Sequence, residues 1–351
     1  MTTPTPVSIP TAPTVTGEGV DDDGSRPSTP ARRTPPPLVA AIGMTAGLGA
    51  LLVLLLALFI LPSLKSGAHD LPVGVVGSAA MTTQVEHDLA ATAPEAYRLE
   101  RFDSARALAD AVRDREVAGG FVVGSGEVHA VVASAGSAAI SSAVTATAQS
   151  LGQALGAEVS TSDVVALPES DPTGIGIGGL AFPLVFGGIV PAVAFRTLFP
   201  RRPTWRLAGV LGFSVAGGLI VSGVLRFWFG SIETAFWPVA GAMALGIAAL
   251  AFLLSGLQQA FGGKGFTIGA MTMMFLGNPL AGIATTGAWL PAGLGTIGQV
   301  LPPGAAGTLV RSAAYFGGAG GLTAALTLAA WVIAGLALHA YGVARQAPEP
   351  A

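Results

Sequence analysis

The chain has 351 residues, of which 51% are hydrophobic and 11% charged, and its mean hydropathy is +0.66. That leaves too little polar side chain to cover a water-soluble body of this size, so lipid is expected to cover part of it. A net charge of −3 gives no basic surface of the kind a phosphate backbone requires, and nucleic acid is not expected as a partner. The absence of cysteine excludes disulfides, thiolate metal sites and cysteine nucleophiles.

In chain order, residues 1–37 are rich in Pro, Thr and Ser, include Asp21, Asp22 and Asp23, and have almost no bulky apolar side chains. Such a segment buries too little surface to offset its ordering, so it is read as a disordered cytoplasmic tail. Arg32, Arg33 and a run of prolines then precede an uninterrupted apolar stretch, 38–61. At 1.5 Å per residue that stretch crosses a hydrocarbon core of about 30 Å. A signal peptide would have an apolar core of about 7–15 residues and a small-x-small cleavage site, so the stretch is read as an uncleaved first transmembrane helix. The two arginines place the tail inside and the following segment outside.

Residues 62–173 have the character of an α/β domain. Strands are expected at 73–77 and 97–101, a strand pair at 119–123 and 128–133 around a Gly-Ser-Gly-Glu turn, and a last strand at 159–167. Helices are expected at 81–93, after the Asp103-Ser104 cap, and at 137–155. The apolar stripe of Ala105, Leu108, Ala109 and Val112 supports the second of these. A domain of this length is large enough for its own core.

Beyond it, 174–342 is read as a five-helix membrane domain with spans at 175–195, 207–225, 236–257, 266–287 and 320–340, followed by a cytoplasmic tail, 343–351. Arg196, Arg201, Arg202 and Arg206 share one loop, Lys264 lies in the next loop on that side, and Arg345 follows the last span. The opposite side carries only Arg226 and Arg311 in its short loops. The fold class is therefore an α-helical polytopic membrane protein. It has about six transmembrane helices, an α/β extracytoplasmic domain between helices 1 and 2, and both termini on the cytoplasmic side of the plasma membrane.

None of these spans contains Asp, Glu, Lys or Arg, and their one histidine, His339, is expected at a cytoplasmic end within reach of the interface. This argues against an ion-driven carrier. Gly262-Gly263-Lys264-Gly265 lacks the spacing and hydroxyl residue of a phosphate-binding loop, so energy for transport would come from another chain. The pairs Gly43/Gly47 and Gly265/Gly269 fit either a dimer interface or packing within one chain.

Two loops stand out. The first joins Phe195, Arg196, Phe199, Arg201, Arg202, Trp205 and Arg206; it reads as a positive-inside anchor or as a docking surface for a partner. The second, 288–316, includes Trp289, Pro291, Pro302, Pro303 and Arg311 and reads as a re-entrant hairpin or an amphipathic interfacial segment. Catalytic signals are missing. His69, His87 and His129 form no triad or metal spacing, and Glu86 with Asp88, or Asp110 with Asp114, sit as on a solvated helix face. No enzyme activity, metal or cofactor is expected.

A family resemblance lies in Asp70-Leu-Pro-Val-Gly-Val-Val-Gly77 after the anchor and in the helix from Ala105 that leads into Gly120-Phe-Val-Val123. It continues in Gln299-Val-Leu-Pro-Pro-Gly304 followed by Arg311 and Tyr315-Phe316. In order and size the chain resembles the permease subunits of type-2 ABC exporters, in particular the phage-infection-protein-like branch. The resemblance implies a separate ABC ATPase subunit, a homodimer or heterodimer of permease chains, and export of an amphiphile. The alternative is a non-transporting envelope protein whose outer domain binds a cell-wall component or partner.

Overall fold

The computed structural model describes residues 36–291 and 293–346. The expected tail up to residue 35 and the last five residues lie outside the described residues. The chain divides into two units, Met1–Ala50 and Leu51–Ala351. Helix α1 (Pro37–Leu64) begins in the first and ends in the second. It is apolar on every side and exposed along nearly its whole length, which a helix in water does not tolerate. Within the second unit, Phe59 meets Phe275 edge to face at 6.3 Å.

The α/β layer is a five-stranded sheet in the order β2-β1-β3-β4-β5. Its strands are β1 (Leu71–Val76), β2 (Tyr97–Arg101), β3 (Gly120–Gly124), β4 (Glu127–Val132) and β5 (Glu158–Asp163). All neighbours are parallel except β3 and β4, a hairpin that turns at Ser125 and Gly126. Gly126 has φ +85°, which a side-chain-bearing residue adopts only with strain. Strand β5 stops short of the expected 167 because the Asp163 carboxylate accepts from the amides of Ser134 and Val165 and turns the chain away.

Three helices cover the sheet, each started by a serine. Ser78 caps α2 (Ala79–Thr92), Ser104 caps α3 (Ala105–Arg113) and Ser137 caps α4 (Ala138–Leu155). Alternation along the strands sends Leu71, Val73, Val75, Phe121 and Val128 into a core shared with Val85, Leu89, Ile140 and Val144 of α2 and α4. The other face is covered by Leu108 and Val112 of α3 and by Phe316, which comes from far along the chain. Trp289 also packs against the first core. Phe316 and Trp289, from outside residues 62–173, complete this layer's interior, and the layer belongs to the same compact unit as the helices that follow.

Those helices are α5 (Ile175–Gly178), α6 (Ala181–Leu198), α7 (Pro203–Gly223, continued as a wider turn over Val224–Trp228), α8 (Phe236–Thr272, continued over Met273–Gly277), α9 (Leu294–Val300), α10 (Pro302–Tyr315) and α11 (Leu322–Gln346). Among the described residues, five helical stretches are long and apolar enough to cross a membrane: Pro37–Pro62, Ile175–Leu198, Pro203–Trp228, Phe236–Gly277 and Leu322–Gln346. The fourth spans 42 residues and replaces the two spans expected at 236–257 and 266–287.

It is not one straight rod. Gly262 takes φ +69° and ψ −156°, a conformation open in practice only to glycine. A Cβ on Gly265 would lie 2.7 Å from the Leu257 carbonyl oxygen, and one on Gly269 would lie 2.5 Å from the Leu257 side chain. In a continuous helix, residues twelve apart are about 18 Å apart along the axis. The chain therefore reverses at Gly262, and the Gly265/Gly269 pair lines the inside of the resulting hairpin. The second arm stops at Gly277, well before 287, because Pro279 lacks the amide that another turn requires.

The first arm of α8 is the hub, packed by α6, α7, α10 and α11. At each contact a glycine lets backbones approach. A side chain on Gly188 would collide with Leu250, one on Gly218 with the carbonyl of Ala240, one on Gly246 with Ala306, and one on Gly256 with the carbonyl of Gly335. Gly43 and Gly47 of α1 face open space instead.

Candidate functional site

Two constellations collect the functional side chains. The first is the elbow between α6 and α7. Pro200 ends α6 and Pro203 occupies the first turn of α7, so only a short corner separates the two helices. Phe195 and Phe199 stack with ring centroids 6.4 Å apart and planes 4° from parallel, and Phe199 meets Trp205 at 6.1 Å. Arg206 holds the corner shut: Nε donates to the Phe199 carbonyl at 2.7 Å, Nη1 to Gln259 Oε1 at 2.7 Å, and Nη2 to the Pro200 carbonyl. Gln259 in turn donates to Gln346 Oε1 at 3.0 Å, while Gln346 donates to the Gln259 carbonyl at 3.2 Å. Arg196 reaches the Gln258 carbonyl at 3.4 Å.

The seven residues singled out here therefore separate by role. Phe195, packed on Gly209, together with Phe199 and Arg206 builds the corner, whereas Trp205, Arg201 and Arg202 are exposed. Arg201 and Arg202 have no side-chain hydrogen bond or ion pair among the described residues. Gln259 and Gln346 were not read from the sequence; no local pattern marks an amide that meets its partner 87 residues away.

The second constellation is the stretch 288–316, which does not form one hairpin. Trp289 lies in a short turn, Gly287–Trp289, where its carbonyl accepts the Gly67 amide at 3.0 Å and its ring joins the α/β core. Pro291 is half-buried beside it. Pro302 and Pro303 instead open α10, which is buried against α8 through Gly246 and Ala306. An amphipathic segment lying on a surface would leave one face exposed, yet residues 302–307 are all buried. Gln299 ties the corner between α9 and α10 by donating to the Ala281 carbonyl at 3.2 Å and accepting from Thr308 at 2.6 Å.

Arg311 is buried on α10 and donates to the carbonyls of Ile283, at 2.6 Å, and Thr285. Tyr315 donates to the Ser231 carbonyl at 2.8 Å, and Asp171 accepts from the amides of Ile175 and Gly176 at 2.9 Å each. Arg115, in the turn between α3 and β3, lies over the Phe316 ring with its guanidinium carbon 5.0 Å from the centroid. Burial holds this guanidinium below its ordinary value.

Two of the histidines lie within the fold. His129 bonds Ser160 at 2.8 Å through Nδ1 and Ser162 at 2.9 Å through Nε2 across the β4–β5 pair. His339 is not at an exposed end as expected: α11 continues to Gln346, and the ring is buried with both nitrogens unpartnered. No group of three or more His, Asp or Glu able to hold a metal occurs among the described residues. Comparison with protein-family models, with curated proteins and with solved structures returned no match.

Proposed function

We propose that the chain is the permease subunit of an exporter that a separate ATPase chain drives, with an amphiphile as substrate. Counting the two arms of α8 separately gives six passes through the plasma membrane. Arg196, Arg201, Arg202, Arg206, Lys264 and Arg345 then lie on the cytoplasmic side with both termini, and the α/β layer lies outside. The buried α10, entered through the break at Leu301, serves as a re-entrant element within this bundle.

The observation that carries the reading is the elbow. A loop that only fixed topology would need its arginines and nothing more. Here Phe195, Phe199, Arg206, Gln259 and Gln346 lock the corner, so that exposed Trp205 is presented beside two exposed arginines that pair with no acid among the described residues. An aromatic anchor with flanking Arg on a rigid mount is the composition of a protein-binding hot spot.

The test is co-purification of ATP-hydrolysing activity with the tagged, detergent-solubilised chain. Wild type is expected to carry vanadate-sensitive ATPase activity. A W205A/R201A/R202A variant, which leaves the corner intact, is expected to carry at least tenfold less, as follows from losing about 2 kcal/mol or more of hot-spot energy. Equal activity from both would remove the elbow from the interface. No activity from wild type would remove the exporter reading.

A further inference from the structure

The turn between α3 and β3 carries Arg115 into a cavity of about 150 Å³. Its walls are largely apolar, formed by Leu71, Val112, Val117, Ile140 and Phe316, with Thr286 and the exposed Ala288 at its edge. Arg115 has φ +61°, a backbone conformation that favours glycine, so the turn holds an arginine where a smaller residue would fit with less strain. Its side chain lies between the Phe316 ring and Gly320, and its Nη1 is buried without a partner.

Among the described residues no carboxylate pairs with this charge. The ion pairs among the described residues involve Arg98, Arg101, Arg106 and Arg113 and lie elsewhere. The nearby cation Arg311 is bonded only to carbonyl oxygens, and Asp171 commits both carboxylate oxygens to backbone amides. The first turn of α4, through Ser137 and Ile140, adds the positive end of a helix to the same wall. A buried guanidinium with no counter-charge is costly, and its free donors gain most from an anion.

We propose that this cavity binds a small organic oxyanion, a carboxylate or phosphate head on a short apolar body, with the head on Arg115. The guanidinium presents paired donors in the plane that such a head accepts. The volume matches a body about the size of one benzene ring, and Val112, Val117, Ile140 and Phe316 surround it with apolar surface. A neutral analogue of the same shape leaves the guanidinium unpaired and is rejected for that reason.

The site requires neither an ATPase nor transport, so its test uses the purified full-length chain alone, in a neutral detergent. Calorimetric titration with phenyl phosphate and with benzoate is expected to show saturable binding at one site per chain. Benzamide and inorganic phosphate are expected to bind at least tenfold more weakly than phenyl phosphate. R115Q is expected to weaken phenyl phosphate binding at least tenfold, and R115K, which keeps the charge without the fork, by a smaller factor. A288W, which narrows the cavity edge without touching the guanidinium, is also expected to weaken it at an unchanged melting temperature. No saturable binding by wild type, wild-type affinity in R115Q or A288W, or equal affinity for benzamide would each overturn the proposal. Inorganic phosphate binding as tightly as phenyl phosphate would overturn the organic class and make this a free-phosphate site.

Discussion

The α/β layer and the helical bundle both bury large apolar side chains, and they differ in what faces their glycines. In the sheet, large side chains fill the space between layers: Phe121, Leu71, Leu108 and Val73 are fully buried. In the bundle Leu184, Met243, Leu250, Leu254 and Leu328 are just as buried, but glycines there face backbone: Gly218 the carbonyl of Ala240, and Gly256 that of Gly335. In the layer Gly74 faces the Leu108 side chain and Gly152 that of Val159. Close backbone approach gives dispersion contact that does not depend on water, the contact that two helices in lipid have to use. The bundle therefore adds backbone contact to the side-chain packing that both regions share.

The sharpest way to break this comparison is to add bulk where the bundle has none. Gly256→Leu or Gly335→Leu drives a side chain into the facing backbone, and no monodisperse protein is expected from detergent extraction. Gly212→Leu, on a helix face with nothing within 4 Å, is the control and should leave yield and melting temperature unchanged. Normal behaviour of G256L would show that the small residues are not what joins α8 to α11.

The opposite change, removing bulk, should hurt the sheet. Phe316→Ala empties the face covered by α3 and is expected to cost about 3–5 kcal/mol, read as faster hydrogen exchange in residues 105–133 than in α8. For the same reason residues 62–173 expressed alone should melt below the full chain, since they lack Phe316 and Trp289. Equal exchange across both regions would erase the distinction.

A smaller effect is expected at the helix start beside the cavity. Ser137→Ala removes the acceptor for the Ile140 amide and should cost about 0.5–2 kcal/mol, seen as exchange confined to the first turn of α4. The least perturbing experiment tests which side of the membrane each region occupies. Because native cysteine is absent, single cysteines at Ser125, Thr234 and Thr204, all exposed, can be labelled cleanly in intact cells. Those at 125 and 234 should react with an impermeant maleimide and that at 204 should not; labelling at 204 would overturn the proposed orientation. Ser231 is unsuitable because it is buried.

Much of the layer was legible because its signals are local. Ser104 announces a helix through one side chain and an amide three residues on, and Ser125-Gly126 between two valine-rich runs announces a hairpin. The elbow was legible as a list of residues but not as an object. Nothing in Phe195-Arg196 or Trp205-Arg206 shows that Arg206 turns inward to Gln259 while Arg201 and Arg202 face out. Trp289 was misplaced with α10 because an apolar, proline-broken stretch has the same composition whether it lines a helical bundle or seals a sheet.

The sequence by itself determined that most of the chain is apolar helix, that an α/β layer follows the first of these helices, and that Ser104 starts one of the layer's helices. Each of these follows from solvent preference or from a bond within a few residues. Only the tertiary structure decided that the stretch from Phe236 to Gly277 doubles back at Gly262, that Phe316 completes a sheet some two hundred residues earlier in the chain, and that Arg115 ends in an apolar cavity without a counter-charge. These depend on contacts between segments far apart in the chain. Hydrophobicity drives such segments together without specifying partners, and backbone fit and unpaired polar groups then select among the arrangements.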